Sequence, residues 1–485
     1  MGISILHKND RASGTEPISD KVLYHLSLDR TFSQICADKK KREYFFRILL
    51  STLKDEAEVI YRQEVLKDLV KYSELLEGLI SLSKRFFELI EAQKNAGREA
   101  RRLVLAGTES RDAAKNILQA QALTLKRALT FVKAYRELLV NYELTSEGLL
   151  SLSRNCAEIC DKPEFSELIT FCSKYENFSE CGYWDFRFSL NDDGYINGFA
   201  LADHRYILIT DPELKKKGFS IFKKTEEIYP CARLYPKNDG YFDRLAVSAL
   251  SELSSLFESV SNQIFEKFGG IEKELDFYYV ASEYIKTLSD KNVPIAYPRF
   301  SQDNSIRVKR LYDLYLLVNQ NDVSRIEPND FILGTQSGGM LLFGDNGSGK
   351  TVYLRSVGTM QLLTSAGLPV PCESAETVLF TGIVTHFSES EKEFCAGNEA
   401  GRFEQEVREL AKTVDGLAPG SLVLLNEVFQ STAYSEGADA LYYLLKHFTA
   451  LSIRWVLVTH LTQLENRLSP TEATVHYATE NYRIK

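Results

Sequence analysis

Eight consecutive residues late in the chain, Gly344-Asp345-Asn346-Gly347-Ser348-Gly349-Lys350-Thr351, have the types and spacing needed to hold a chain of phosphates. They match G-x-x-x-x-G-K-[ST] and lie between the apolar run Met340-Leu341-Leu342-Phe343 and the helix-compatible segment VYLRSVGTMQLL, in the order strand, loop, helix. Glycines let successive backbone N–H groups curl around a phosphate without Cβ clashes, and the helix that follows points its positive end at the anion. Lys350 is expected to neutralise the β- and γ-phosphates, and the Thr351 hydroxyl to ligate Mg²⁺. A tight glycine-rich turn with no ligand would leave Lys350-Thr351 unexplained. ATP and Mg²⁺ are the implied cofactors.

Two further pairs sit where such a loop needs chemistry. The run Leu422-Val423-Leu424-Leu425 reads as a buried strand ending in Asn426-Glu427. In P-loop ATPases that place usually holds two acids, one supporting Mg²⁺ and one orienting the attacking water. Asn426 is an amide, able to accept a hydrogen bond from the metal's water shell but without charge, so either slow hydrolysis or a metal held mainly by Thr351 and the phosphates is expected. Glu427 keeps the water-orienting role. A third strand, Trp455-Val456-Leu457-Val458, ends in Thr459-His460, and His460 is placed to sense the γ-phosphate. His386 and His447 lack such context and read as structural.

These residues need a frame. From about residue 335, short apolar runs alternate with glycine-rich turns and helical stretches, the pattern of a parallel α/β domain. Residues from about 20 to 170 read as successive helices, with Leu125, Ala128, Val132, Tyr135 and Leu139 forming one apolar seam. Between about 180 and 240 the run Tyr183-Trp184-Asp185-Phe186-Arg187-Phe188, the turn Asn191-Asp192-Asp193-Gly194 and the run 204–210 read as β structure. Helix returns along Leu250, Leu253, Phe257, Val260 and Ile264 and stops at Gly269-Gly270. Two seamed helices flanking a β insert suggest either a lever carrying a head or a helical bundle followed by a small β domain.

The length, 485 residues, fits about three domains. A net charge of −9 excludes a protein that coats nucleic acid by bulk charge and leaves only a local basic patch for such contact. No apolar run is long enough to span a bilayer, and MGISILHKND lacks the pattern of a secretory signal. Eight scattered cysteines fit a reduced, cytoplasmic setting. Cys156, Cys160, Cys172 and Cys181 are spaced too loosely for a metal site and read as structural thiols.

Read together, these segments resemble the MutS family of mismatch-repair ATPases. Asn346, Gly349 and Lys350 match its G-P-N-M-G-G-K-S-T loop, and Ile326-Glu327-Pro328-Asn329-Asp330 is similar to its V-P-N-D segment beside the nucleotide base. NEVFQSTAYSEGADAL resembles D-E-x-G-x-G-T-x-x-x-D-G, with Glu427, Thr432 and Gly437 matching and Glu436 replacing an acidic neighbour. Thr459-His460 matches the family's T-H, and Arg402-Phe403-Glu404-Gln405-Glu406 resembles its S/T-F-x-x-E. More loosely, Ile60-Tyr61-Arg62-Gln63-Glu64-Val65 is similar to the start of the family's core domain.

The resemblance implies an α/β P-loop NTPase domain of the ABC/MutS type at the C-terminus, after a mainly α-helical core and lever with a small β-containing clamp insert. Its boundaries are a tail at 1–20, core and lever at 21–170, clamp at 171–240, returning helices at 241–325 and the ATPase domain at 326–485. It also implies a homodimer formed through the ATPase domains, closing on duplex or branched DNA in repair or recombination control. Lys215, Lys216, Lys217, Lys223 and Lys224, around Phe219 and Phe222, are candidate phosphate contacts in the clamp, or else a solvated lysine run. With about 20 residues before the core, no mismatch-reading or connector domain is expected. Ile326 stands where an aromatic usually stacks on the base, and Arg402 lies where a partner-reaching serine is usual. The acidic balance and Asn426 keep an ATP-switched protein-interaction scaffold as the alternative. A transporter-type ATPase would need an L-S-G-G-Q-like segment after the loop, which the sequence lacks.

Overall fold

A computed structural model describes residues 2–8, 18–51, 53–105, 111–176, 182–190, 196–206, 231–234, 240–335, 337–387, 399–414, 417–429, 434–470 and 472–485. In chain order the helices are α1 (Lys21–His25), α2 (Leu28–Ile35), α3 (Lys39–Leu50), α4 (Glu56–Lys71), α5 (Ser73–Leu105), α6 (Arg111–Val140), α7 (Glu147–Cys160) and α8 (Pro163–Glu176). They continue as α9 (Gly240–Phe268), α10 (Ile271–Asp290), α11 (Leu314–Asn319), α12 (Lys350–Ser365), α13 (Glu399–Val414) and α14 (Tyr434–Ala450). The strands are β1 (Gly182–Leu190), β2 (Ile196–Tyr206), β3 (Cys231–Leu234), β4 (Arg299–Phe300), β5 (Ile306–Leu311) and β6 (Asn329–Leu333). After them come β7 (Gly339–Phe343), β8 (Ser374–Thr377), β9 (Ile383–Phe387), β10 (Leu422–Asn426), β11 (Arg454–Val458) and β12 (Ala473–Tyr477). The chain forms two compact units.

One unit comprises Met1–Gly2, Ser81–Leu138 and Arg154–Gly269. Leu125, Ala128, Val132 and Tyr135 of α6 are all buried, as the seam requires. Phe86 of α5 is their counterpart, meeting Tyr135 and, from α9, Phe265 and Phe268 edge to face. The α9 stripe differs from the sequence expectation. Leu250, Phe257 and Ile264 are buried, but Leu253 and Val260 sit at its margin, and Ser254 and Ser261 occupy the buried centre. Serine is small enough for close packing there, so the buried face departs from the apolar pattern by one residue at these two positions. Between α8 and α9 lies an antiparallel sheet in the order β2-β1-β3, with Trp184 opposite both His204 and Leu234. The turn 191–194, residues 207–210, Cys181 and the whole lysine run lie outside the described residues.

The other unit comprises Ile3–Ile80, Leu139–Ser153 and Gly270–Lys485. Its N-terminal strand of chain is tied down by buried polar groups. Glu274 of α10 accepts from Ser4 Oγ at 2.7 Å and from the N–H groups of Ile5 and Leu6 at 2.7 and 3.1 Å. Arg62 of α4, fully buried, donates from Nε to the Leu6 carbonyl and from Nη2 to His7 Nδ1. Tyr278 Oη closes the set by donating to the Ile5 carbonyl. A small mixed sheet, β4-β8-β5-β6, lies in the same unit.

The sheet that matters for chemistry has five parallel strands in the order β12-β7-β11-β10-β9. All residues of β7 and β10 are buried, so these strands read as unbroken apolar runs, as strands covered on both faces must. Leu341, Phe343, Val423, Leu425, Trp455 and Leu457 join Leu441, Leu445 and Phe448 of α14 in one core, with α12 packed against β10 and β11. Burying each such side chain contributes about 1.5–3 kcal/mol before chain entropy is counted. Gly339 is obligatory in β7, because a Cβ there would stand 2.1 Å from the Trp455 ring.

Candidate nucleotide site

Strand order decides which residues meet. With β11 between β7 and β10, the three carboxyl ends lie side by side, where parallel α/β sheets place their ligands. Backbone hydrogen bonds fix them: Thr459 N–H donates to Leu342 O at 3.2 Å, and Glu427 N–H to Val458 O at 2.8 Å. The loop 344–349 leaves β7, and α12 begins at Lys350. Gly349 caps that helix with φ +93°, a left-handed conformation that a side chain would strain. Asp345, Asn346 and Gly347 are exposed at the loop's tip, and no atom lies within 4 Å of a Cβ built on Gly347.

The polar side chains converge on this loop. Lys350 is 3% exposed, and its Nζ folds back to donate to the carbonyls of Gly344 and Asp345, both at 2.8 Å. Burial pulls its pKa below the ordinary lysine value, against the opposing charges of Glu427 and Asp345. Thr351 Oγ1 donates to Asn426 Oδ1 at 3.1 Å, joining the two expected metal-side residues. His460 Nε2 lies 3.1 Å from Glu427 Oε1. The structure thus brings together Gly344, Asp345, Ser348, Gly349, Lys350, Thr351, Asn426, Glu427 and His460.

Ile326 is placed differently from the rest. It is buried just after the 3₁₀ turn Val323–Arg325, three residues before Asn329, and offers no exposed face. Of the signature residues, Gly437 of α14 packs close to Phe429, whereas Thr432 lies outside the described residues. Arg402 and Phe403 fall in α13, with side chains outside the description. His386 on β9 is largely buried and held below the ordinary histidine pKa by that burial, and His447 is exposed on α14.

Three features escaped sequence reasoning. Glu427 and Phe429 both adopt left-handed backbone, with φ +54° and +62°, a strain of about 1–3 kcal/mol each that tends to collect at working sites. Glu406 of α13 holds that turn by accepting the Phe429 N–H at 2.8 Å. Tyr482, near the end of the chain, places its ring beside Gly349. Periodicity and motif spacing carry no signal for backbone sign or for contacts this distant.

A phosphate chain fits these residues. Ser348 Oγ is buried in the loop with no hydrogen-bond partner, a polar atom aimed at nothing the protein supplies. Lys350 meanwhile spends its charge on two carbonyls of its own loop, weak substitutes for phosphate oxygens.

Residues 340–483 match the family described as MutS domain V. Over this domain the chain is similar to MutS-family proteins. It is similar to "Endonuclease MutS2" of Finegoldia magna, 26% identical over 45% of this chain and 26% of that protein. "Endonuclease MutS2" of Lactobacillus gasseri is 22% identical over 58% of this chain and 36% of the relative. "DNA mismatch repair protein MutS" of a Synechococcus species is 35% identical over 29% of this chain and 15% of its own length. The chain therefore covers well under two thirds of each of these MutS-family relatives. Among the described residues, no helix is long and apolar enough to cross a membrane, and no cluster of acidic, His or Cys side chains forms a metal cage.

Proposed function

We propose that the chain is a MutS-type, Mg²⁺-dependent ATPase of the cytoplasm whose nucleotide state opens and closes a homodimeric clamp on duplex or branched DNA. One observation carries the enzymatic part: Lys350, Thr351–Asn426 and Glu427–His460 converge at the ends of three adjacent strands. Bound Mg²⁺ would supply charge to neutralise the phosphate oxygens and the leaving group. The N–H groups of the loop and Lys350 grip the phosphates, with Ser348 Oγ free to donate to one of them. Thr351 and Asn426 would hold the metal, and the amide's missing charge would set a slow turnover. Glu427 orients a water for attack and takes up its proton, while His460 steadies the carboxylate and reads the γ-phosphate. The domain boundaries given above, with the β1–β3 sheet as clamp, belong to this reading.

The deciding experiment measures ATP hydrolysis and molecular mass with and without duplex and branched DNA, together with retention on closed and nicked circles. Lys350→Ala should lower nucleotide affinity about 100-fold, since hydrogen bonds to charged groups contribute about 1.5–3 kcal/mol and this one carries the charge as well. A wild-type chain that hydrolyses ATP yet ignores DNA and its ends would leave the protein-interaction scaffold as the function.

A further inference from the structure

The last nine residues form a hairpin against the nucleotide loop. Tyr477 and Lys485 exchange both backbone hydrogen bonds, at 2.9 and 3.0 Å, and Thr479 N–H donates to Arg483 O at 2.9 Å. Tyr482 sits in the turn with φ +60°, a conformation costly for a side chain of its size. Side chains of Glu327 and of Asn329, the first residue of β6, hold it there. Asn329 Nδ2 donates to the Tyr482 carbonyl at 2.9 Å, its Oδ1 accepts the Ile484 N–H at 2.8 Å, and Glu327 pairs with Arg483 at 2.8 Å. The Tyr482 ring lies beside Gly349, its Cδ1 3.2 Å from where a Cβ on that residue would be. Even so, the residue is 55% exposed. An aromatic ring pinned in a strained turn, beside the residue that precedes Lys350, has its free face open to water.

We propose that Tyr482 is the platform on which the nucleobase stacks. The inference rests on the nucleotide reading of the same site and assigns its base-binding part. A nucleoside triphosphate gripped at Lys350 carries its ribose and base only a few ångströms beyond the phosphates, within reach of a ring beside Gly349. Ile326 has no open face to offer. Stacking on an aromatic ring tolerates any base, so the site takes nucleoside triphosphates generally and favours the larger purines.

The test titrates the full chain with ATP and with inorganic tripolyphosphate, which occupies the loop but has no base. Tyr482→Ala should weaken ATP binding about 10-fold, in the range measured for single stacked bases, and leave tripolyphosphate binding unchanged. Tyr482→Phe, which keeps the ring, should bind ATP as the wild type does. An equal loss for both ligands would mean the ring merely props the loop, and no loss for either would mean the base lies elsewhere; each overturns the assignment. A wild-type chain that binds neither ligand would instead overturn the nucleotide reading itself.

Discussion

Two polar clusters in the same unit use similar side chains and satisfy them in opposite ways. Around the fully buried Arg62 and the half-buried Glu274 and His7, most of the polar groups are bonded to the chain: Leu6 O and His7 for Arg62, whose Nη1 alone has no partner among the described residues, and Ser4 Oγ with two N–H groups for Glu274. Around Lys350, a cation, a carboxylate and a histidine lean on one another or on loop carbonyls, at a partly open surface with two left-handed residues nearby. Buried charge is costly unless hydrogen-bonded. The first cluster meets that cost once, at folding, by tying residues 4–6 to a helix some 270 positions away. The second leaves part of its capacity for a ligand. Matching residue types thus serve anchorage in one place and chemistry in the other, and the partners reveal which.

The largest effect that could break this contrast is Glu427→Gln. Loss of a general base or water-orienting carboxylate typically costs 10²–10⁴-fold in rate, and hydrolysis should fall by that much. ATP should still bind, and the unfolding midpoint should stay close to its wild-type value, because among the described residues His460, 3.1 Å away, is the hydrogen-bond partner of the Glu427 side chain. Wild-type hydrolysis in this variant would remove Glu427 from the chemistry.

Arg62→Ala should do the reverse. It strips the Leu6 carbonyl and His7 of a donor and removes a positive charge near Glu274, at a cost of about 1–3 kcal/mol for each group left unsatisfied. Urea titration should show the loss, while the protein that remains folded binds ATP with unchanged affinity. A comparable fall in ATP affinity at full folding would show that the anchor and the site are one network.

Most of the site was legible in the sequence because its signals are local. A loop motif between a strand and a helix, and two polar pairs ending apolar runs, needed only parallel strands to bring them together. The seam of α6 was legible for the same reason, with every seam residue buried. The α9 seam is legible at Leu250, Phe257 and Ile264 and differs at two positions, where buried Ser254 and Ser261 replace Leu253 and Val260. The pattern around Arg62 was visible as a resemblance, but its partners Ser4 to His7, Glu274 and Tyr278 come from the two ends of a long separation in the chain. Tyr482 against Gly349 is illegible for the same reason. Spacing identifies what lies on one element, whereas contacts between distant segments depend on the packing of the whole unit.

The smallest effect, and the finest probe of the anchored cluster, is its response to acid. His7 has its pKa lowered from 6.5 to about 4, first by burial and then by the Arg62 charge facing it. Between those values the unfolded chain binds a proton that the folded chain refuses, so stability should fall as pH drops from about 6.5 to about 4 and level off below. Glu274 acts in the opposite sense, since burial raises its pKa and the folded chain takes up that proton first. The net slope should therefore be shallower than His7 alone would give, and smaller than the loss of Arg62. Urea midpoints of wild type and His7→Gln, measured without nucleotide between pH 7.5 and 4.5, isolate the histidine. The variant should lose less stability across that window. If the two profiles are parallel, His7 does not titrate between folded and unfolded states, and the cluster's charge balance rests on Arg62 and Glu274 alone.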